Sequence, residues 1–113
     1  MRAICIQFQP RRAPDLDPAA VAGVLRTLGG EERLTSRMRV SEGVEDGPYV
    51  NVTYSTRDPV ALWALVRVRV LDDAVLGPSL RRSVIVTCAG DSGWADYRLL
   101  HHFDACEPVE EMT

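Results

Sequence analysis

The dipeptide Asp-Pro occurs at Asp17-Pro18 and again at Asp58-Pro59, each time between two segments of alternating apolar residues. Aspartate accepts hydrogen bonds from the free amides of a helix start, and proline fits the first helical position, so both sites open helices. Ahead of the first lies a strand in which Ile4, Ile6 and Phe8 alternate with Cys5 and Gln7. After it come Val21, Val24, Leu25 and Leu28 at helical spacing, a Gly29-Gly30 stop, and the alternating run Arg37–Ser41. The second half repeats the order. Val50, Val52 and Tyr54 alternate with Asn51 and Thr53; Leu62, Trp63, Leu65, Val66 and Val70 share a broad helical face; Ser83–Cys88 is a β-branched strand.

Strand, helix, strand, given twice, is the split βαβ pattern. The expected fold is α+β: a ferredoxin-like βαββαβ sandwich with an additional C-terminal antiparallel strand over Tyr97–Phe103. The run Val66-Arg67-Val68-Arg69-Val70 also alternates as a strand would, but the Asp58 cap and the unbroken stretch from Val60 to Leu71 favour a helix. At 113 residues the chain has room for one core. Residues 1–106 are expected to form one α+β domain, and 107–113 an acidic mobile tail.

Two helices would cover one face of the sheet. The other would show Cys5, Gln7, Arg37, Arg39, Asn51 and Thr53, with no aromatic ring to stack a base. A net charge of −3 agrees in excluding nucleic acid, since phosphate recognition needs clustered positive charge. All the cationic side chains are arginine, which fits a GC-rich bacterial coding sequence. Cys5, Cys88 and Cys106 are an odd set without regular spacing, which reads as reduced thiols in a cytoplasmic protein. Residues 1–10 hold an apolar run too short for a signal sequence, and no window reaches the length of a membrane span, so no membrane partner is expected.

Chemistry-bearing side chains concentrate in 90–104, which holds both histidines, Trp94, Phe103 and three aspartates. Gly90-Asp91-Ser92-Gly93 resembles, over four residues, the nucleophile signature of trypsin-like serine proteases. That motif continues with another glycine where this chain has Trp94, and its histidine precedes the serine, whereas His101 and His102 follow. The tetrad is therefore read as a hairpin turn. Adjacent residues on a strand face opposite ways, so His101 and His102 cannot line one site. On that pattern Tyr97, Leu99, His101 and Phe103 share an apolar face, and Arg98, Leu100, His102 and Asp104 the other. The spacing of His102, Asp104 and Cys106 lacks a fourth ligand and matches no zinc motif, so no metal or other cofactor is expected. A thiolate at Cys88 activated by His101 or His102 is the alternative catalytic set, in a pocket by the C-terminal hairpin of a small enzyme or small-molecule binder.

Without a coherent catalytic set, the leading expectation is a protein-binding module of the inhibitor or immunity type that neutralises a bacterial partner. Its contact patch would be Asp91, Trp94, Asp96, Tyr97 and Asp104: aromatic anchors with an acidic rim, suited to a protein with a basic surface. Self-association into a homodimer through a sheet face or an edge strand is a further expectation.

Overall fold

A computed structural model describes residues 1–112. It is an α+β fold: a five-stranded antiparallel sheet with three helices. The elements run β1 (Arg2–Phe8), α1 (Pro18–Gly29), β2 (Arg37–Val44), β3 (Pro48–Thr56), α2 (Pro59–Val66), α3 (Gly77–Arg81), β4 (Val84–Gly90) and β5 (Gly93–His101). Strand order is β2-β3-β1-β4-β5, and every neighbouring pair is antiparallel. With its fifth strand, this order differs from that of the four-stranded ferredoxin-like sheet.

Both Asp-Pro sites start helices as the sequence predicts. The Asp17 carboxylate accepts from the Ala19 amide at 3.1 Å, and that of Asp58 from the Ala61 amide at 3.0 Å. The alternating strands turn Ile4, Ile6, Phe8, Val52, Tyr54, Val84, Val86 and Cys88 to one face, where they meet Val21, Leu25 and Leu28 of α1 and Leu62, Trp63 and Val66 of α2. Tyr54 is fully buried, and its hydroxyl donates to the Leu25 carbonyl at 2.6 Å. That bond joins α1 to the sheet. A buried hydroxyl without it would cost about 1–3 kcal/mol in desolvation.

The ambiguous run after Val66 is helical, but wound as a π turn over Arg67–Leu71 and closed by the Asp72 amide on the Arg67 carbonyl at 2.7 Å. Val66 and Val70 are buried there while Val68 faces solvent. A strand would have put all three on one side. The following stretch gathers into the short α3, which has Pro78 in its first turn.

The C-terminal third departs most from the sequence expectation. β5 begins at Gly93, not Tyr97, so Trp94 and Tyr97 lie on the strand and only Asp91 and Ser92 remain as the turn. The side-chain phase is also corrected. Val86 pairs with His101 but Thr87 with Leu99, so β5 spends an extra residue, Leu100, at a bulge. Leu100 enters the core, Tyr97 is exposed, and the two odd-numbered residues Leu99 and His101 no longer share a face. The segment expected to trail away as a mobile tail returns to the body. The Glu110 amide donates to the Leu99 carbonyl at 2.8 Å, and Met112 joins the core. Thr113 lies outside the described residues.

Candidate functional site

The β4–β5 hairpin carries the residues singled out in the sequence, and its irregularity decides what they do. While β4 advances from Cys88 to Gly90, β5 runs from Arg98 back to Gly93, so residues 94–97 arch away from their partner strand. The arch is pinned at its base. Gly93 takes φ +84°, a left-handed conformation that suits glycine, and the Asp96 carboxylate accepts from the Ser92 amide at 2.9 Å. Gly90 has no room for a side chain, because a Cβ there would overlap the Asp96 backbone carbonyl and carboxylate. Trp94 and Tyr97 are held on this arch at 46% and 56% exposure, too open for core residues of their size.

The acidic residues of the predicted patch are less free than the aromatics. Asp91 pairs with Arg2 at the start of β1, although its own side chain stays open to solvent. Asp96 caps the turn as described. Asp104 accepts from the Cys106 amide at 2.9 Å, and its own amide donates to His102 Nδ1 at 2.9 Å, so it shapes the turn that follows β5. Asp91 and Asp96 therefore accompany Trp94 at the hairpin tip, while Asp104 belongs to the turn beyond the other end of β5.

The alternative catalytic residues do not converge. Cys88 faces the core, fully buried, and burial pushes its thiol up, away from the thiolate that a nucleophile needs. Its Sγ contacts the Ala89 carbonyl oxygen at 3.4 Å and makes no hydrogen bond to either histidine. His101 is half-buried, and its Nε2 donates to the Arg81 carbonyl at the end of α3 at 3.0 Å. Burial lowers its pKa; the Arg81 carbonyl opposes that, and the Arg81 charge adds to it. His102 lies past the end of β5 with its ring 4.3 Å from that of Phe103, which in turn carries the Arg12 guanidinium 3.6 Å above its centroid. Among the described residues no cluster of three or more His, Cys, Asp or Glu side chains is arranged to hold a metal ion. No helix among them is long and apolar enough to cross a membrane.

One feature of the open sheet face was missed by sequence reasoning. Trp94 reaches over it and walls a cleft of about 310 Å³ with Cys5, Gln7, Asn51, Thr53, Ile85 and Thr87. That face was expected to carry no aromatic; the arch brings one. Asn51 Oδ1 is buried within this lining without a hydrogen-bond partner. Cys5 beside it is a thiol pushed up by burial, with a hydrogen bond from Thr53 partly offsetting that. Only the glycines on either side of the turn hinted at the arch in the sequence.

No protein-family model, curated protein or solved structure matches the chain.

Proposed function

We propose that the protein is a binding module that engages another protein through the β5 arch, acting as an inhibitor or immunity-type partner of a toxin or effector in a bacterial cytoplasm. The observation that carries this reading is the pair Trp94 and Tyr97, held largely exposed on a pinned arch. Large aromatics on a fixed backbone lose little entropy on binding and dominate interface energies. The open carboxylate of Asp91, with Asp96 behind it, favours a basic partner surface and speeds encounter with it. We also read β1 to β4 with α1 and α2 as a ferredoxin-like unit to which β5 is added. Its support is that α1 links strands separated only by β3, and α2 links strands separated only by β1.

The test is titration calorimetry of the purified chain against the products of its adjacent genes. Binding is expected, and Trp94→Ala with Tyr97→Ala should weaken it at least about thirtyfold with the circular dichroism spectrum unchanged, as loss of a hot spot does. Full affinity in the double variant sinks the reading.

A small-molecule binder is the second reading, favoured by the unpartnered Asn51 Oδ1 under Trp94. It moves the site from His101, His102 and Cys88 to the open sheet face. Ligands of that cleft quench Trp94 fluorescence, and Asn51→Ala weakens them; a protein partner bound at the arch is indifferent to Asn51→Ala.

A further inference from the structure

The sheet has a second edge, β2, and it is built differently from β5. It is eight residues long and pairs with β3 without a register shift. Its outer side is unpaired, and it carries Val40 and Val44 at 59% and 81% exposure. An edge of this kind is a template for another strand. An apolar cleft of about 160 Å³ between α1 and β2 opens beside Met38 and Val40.

We propose that two copies of the chain pair antiparallel through β2, about a two-fold axis at Ser41, to give one continuous sheet. The sequence of the strand selects both the partner and the register. Residues of the same parity must face each other so that both copies keep their helices on one side. With the axis at Ser41, Met38 stands opposite Val44 of the second copy, Arg39 opposite Gly43 and Val40 opposite Glu42, and Arg37 meets Glu45, the residue that follows β2 into the turn, each pair occurring twice. Two ion pairs close the ends, and Val44 is set against Met38 at the mouth of the apolar cleft. Moving the axis to Arg39 or to Glu42 places like charges directly opposite, which destabilises a sheet pair. Moving it to Val40 leaves Arg37 opposite Gly43 and Met38 opposite Glu42. The basic start of β2 and the acidic stretch at its end and in the turn after it complement each other only when the strand meets an inverted copy of itself, as an isologous interface requires.

Sedimentation velocity of the full chain tests this, with expected dimers across the micromolar range. Arg37→Glu alone and Glu45→Arg alone each put like charges at both ends and should weaken association at least about tenfold. The double exchange should restore it. Glu45 follows the last residue of β2, and the length of that strand at about 3.3 Å per residue sets it roughly 26 Å from Arg37, too far to interact within a copy, so rescue reports a contact between copies. A second measurement fixes the register. In a Cys106→Ser background, Ser41→Cys should oxidise to a covalent dimer, whereas Val40→Cys, set diagonally from its counterpart, should not. A monomeric wild-type chain, a dimer indifferent to both single reversals, a double exchange that fails to recover, or crosslinking through Val40→Cys and not Ser41→Cys would each overturn the proposal.

Discussion

The two edges of the sheet face the same hazard and answer it in opposite ways. β5 is bulged at Leu100, arched over 94–97 and partly covered by the returning chain, whose Glu110 amide takes the Leu99 carbonyl and whose Glu110 carboxylate lies 3.7 Å from Arg98. β2 is regular along its whole length and uncovered. An unpaired strand invites further strands, and bulges or a covering segment are the usual ways to stop this. What β5 offers to a partner is therefore side chains, Trp94 and Tyr97, on a backbone that cannot be extended there. What β2 offers is the backbone itself, with a side-chain pattern that fixes register. The difference teaches that an irregular edge and a regular one suit different kinds of partner.

The sharpest way to break the contrast is through its glycines. Gly90→Ala drives a Cβ into the Asp96 backbone carbonyl, and backbone cannot swing aside. The arch must reopen, at an expected cost of about 3 kcal/mol, the upper end for overpacking. Gly43→Ala in β2 meets first the ring end of Tyr49, a side chain that can rotate away, so its cost should stay below about 1 kcal/mol. Chemical denaturation of both variants measures the gap. Equal losses would mean that the β5 arch is no more constrained than the regular edge.

Next in size is the cover itself. Met112→Ala removes a core side chain at the end of the returning segment, with an expected loss of about 2 kcal/mol, the low end for such truncations because its site adjoins a cleft beside Trp63 and Leu100. The segment should then detach and leave β5 more open. Light scattering should show new association that Arg37→Glu does not suppress, since it arises at the other edge. A variant as stable and as well dispersed as the wild type would show that the segment does not guard β5.

How much of this was legible in the sequence differs along the chain in the same sense. The Asp-Pro caps, the period-2 runs of β1 and β3 and the helical stripe of α1 are local signals in agreement with one another, and the elements formed where they pointed. In β5 the signal failed because bulges break the period on which face assignment depends. One extra residue at Leu100 separated Leu99 from His101, and the arch took Trp94 from the turn to the open face. The acidic composition of 107–113 concealed one apolar residue, Met112, that finds the core. The aspartates read as a charged rim are legible as turn formers only once the turns are known: Asp96 and Asp104 each accept a backbone amide.

The arch makes a smaller prediction about the aromatics. With Trp94 at 46% and Tyr97 at 56% exposure, replacement of either by alanine should cost less than about 1 kcal/mol, against the 3–5 kcal/mol typical of a buried aromatic. Trp63, 5% exposed, is the internal control and should show that larger loss on Trp63→Ala. A large loss at Trp94 would place it in the core and remove the main support for a binding arch.

The smallest effect concerns acid. Both histidines lie at the β5 end of the sheet and none lies on β2. Burial lowers the pKa of His101 from its ordinary value of 6.5, so the folded state holds this ring neutral while the unfolded chain still takes up a proton. In that interval the unfolded state binds more protons, and stability rises with pH. The contribution is complete above about 6.5 and is lost as pH falls from there through the lower folded value. His101→Gln has no such titration and should flatten this part of the profile while still donating to the Arg81 carbonyl. Hydrogen exchange adds the spatial test. Between neutral pH and the acid side of this window, and after correction for intrinsic exchange rates, amides around Leu99–His101 should lose protection in the wild type and keep it in His101→Gln, while those of β2 behave alike in both. Parallel loss along both edges would assign the acid response to global unfolding and not to the anchoring of β5 on α3.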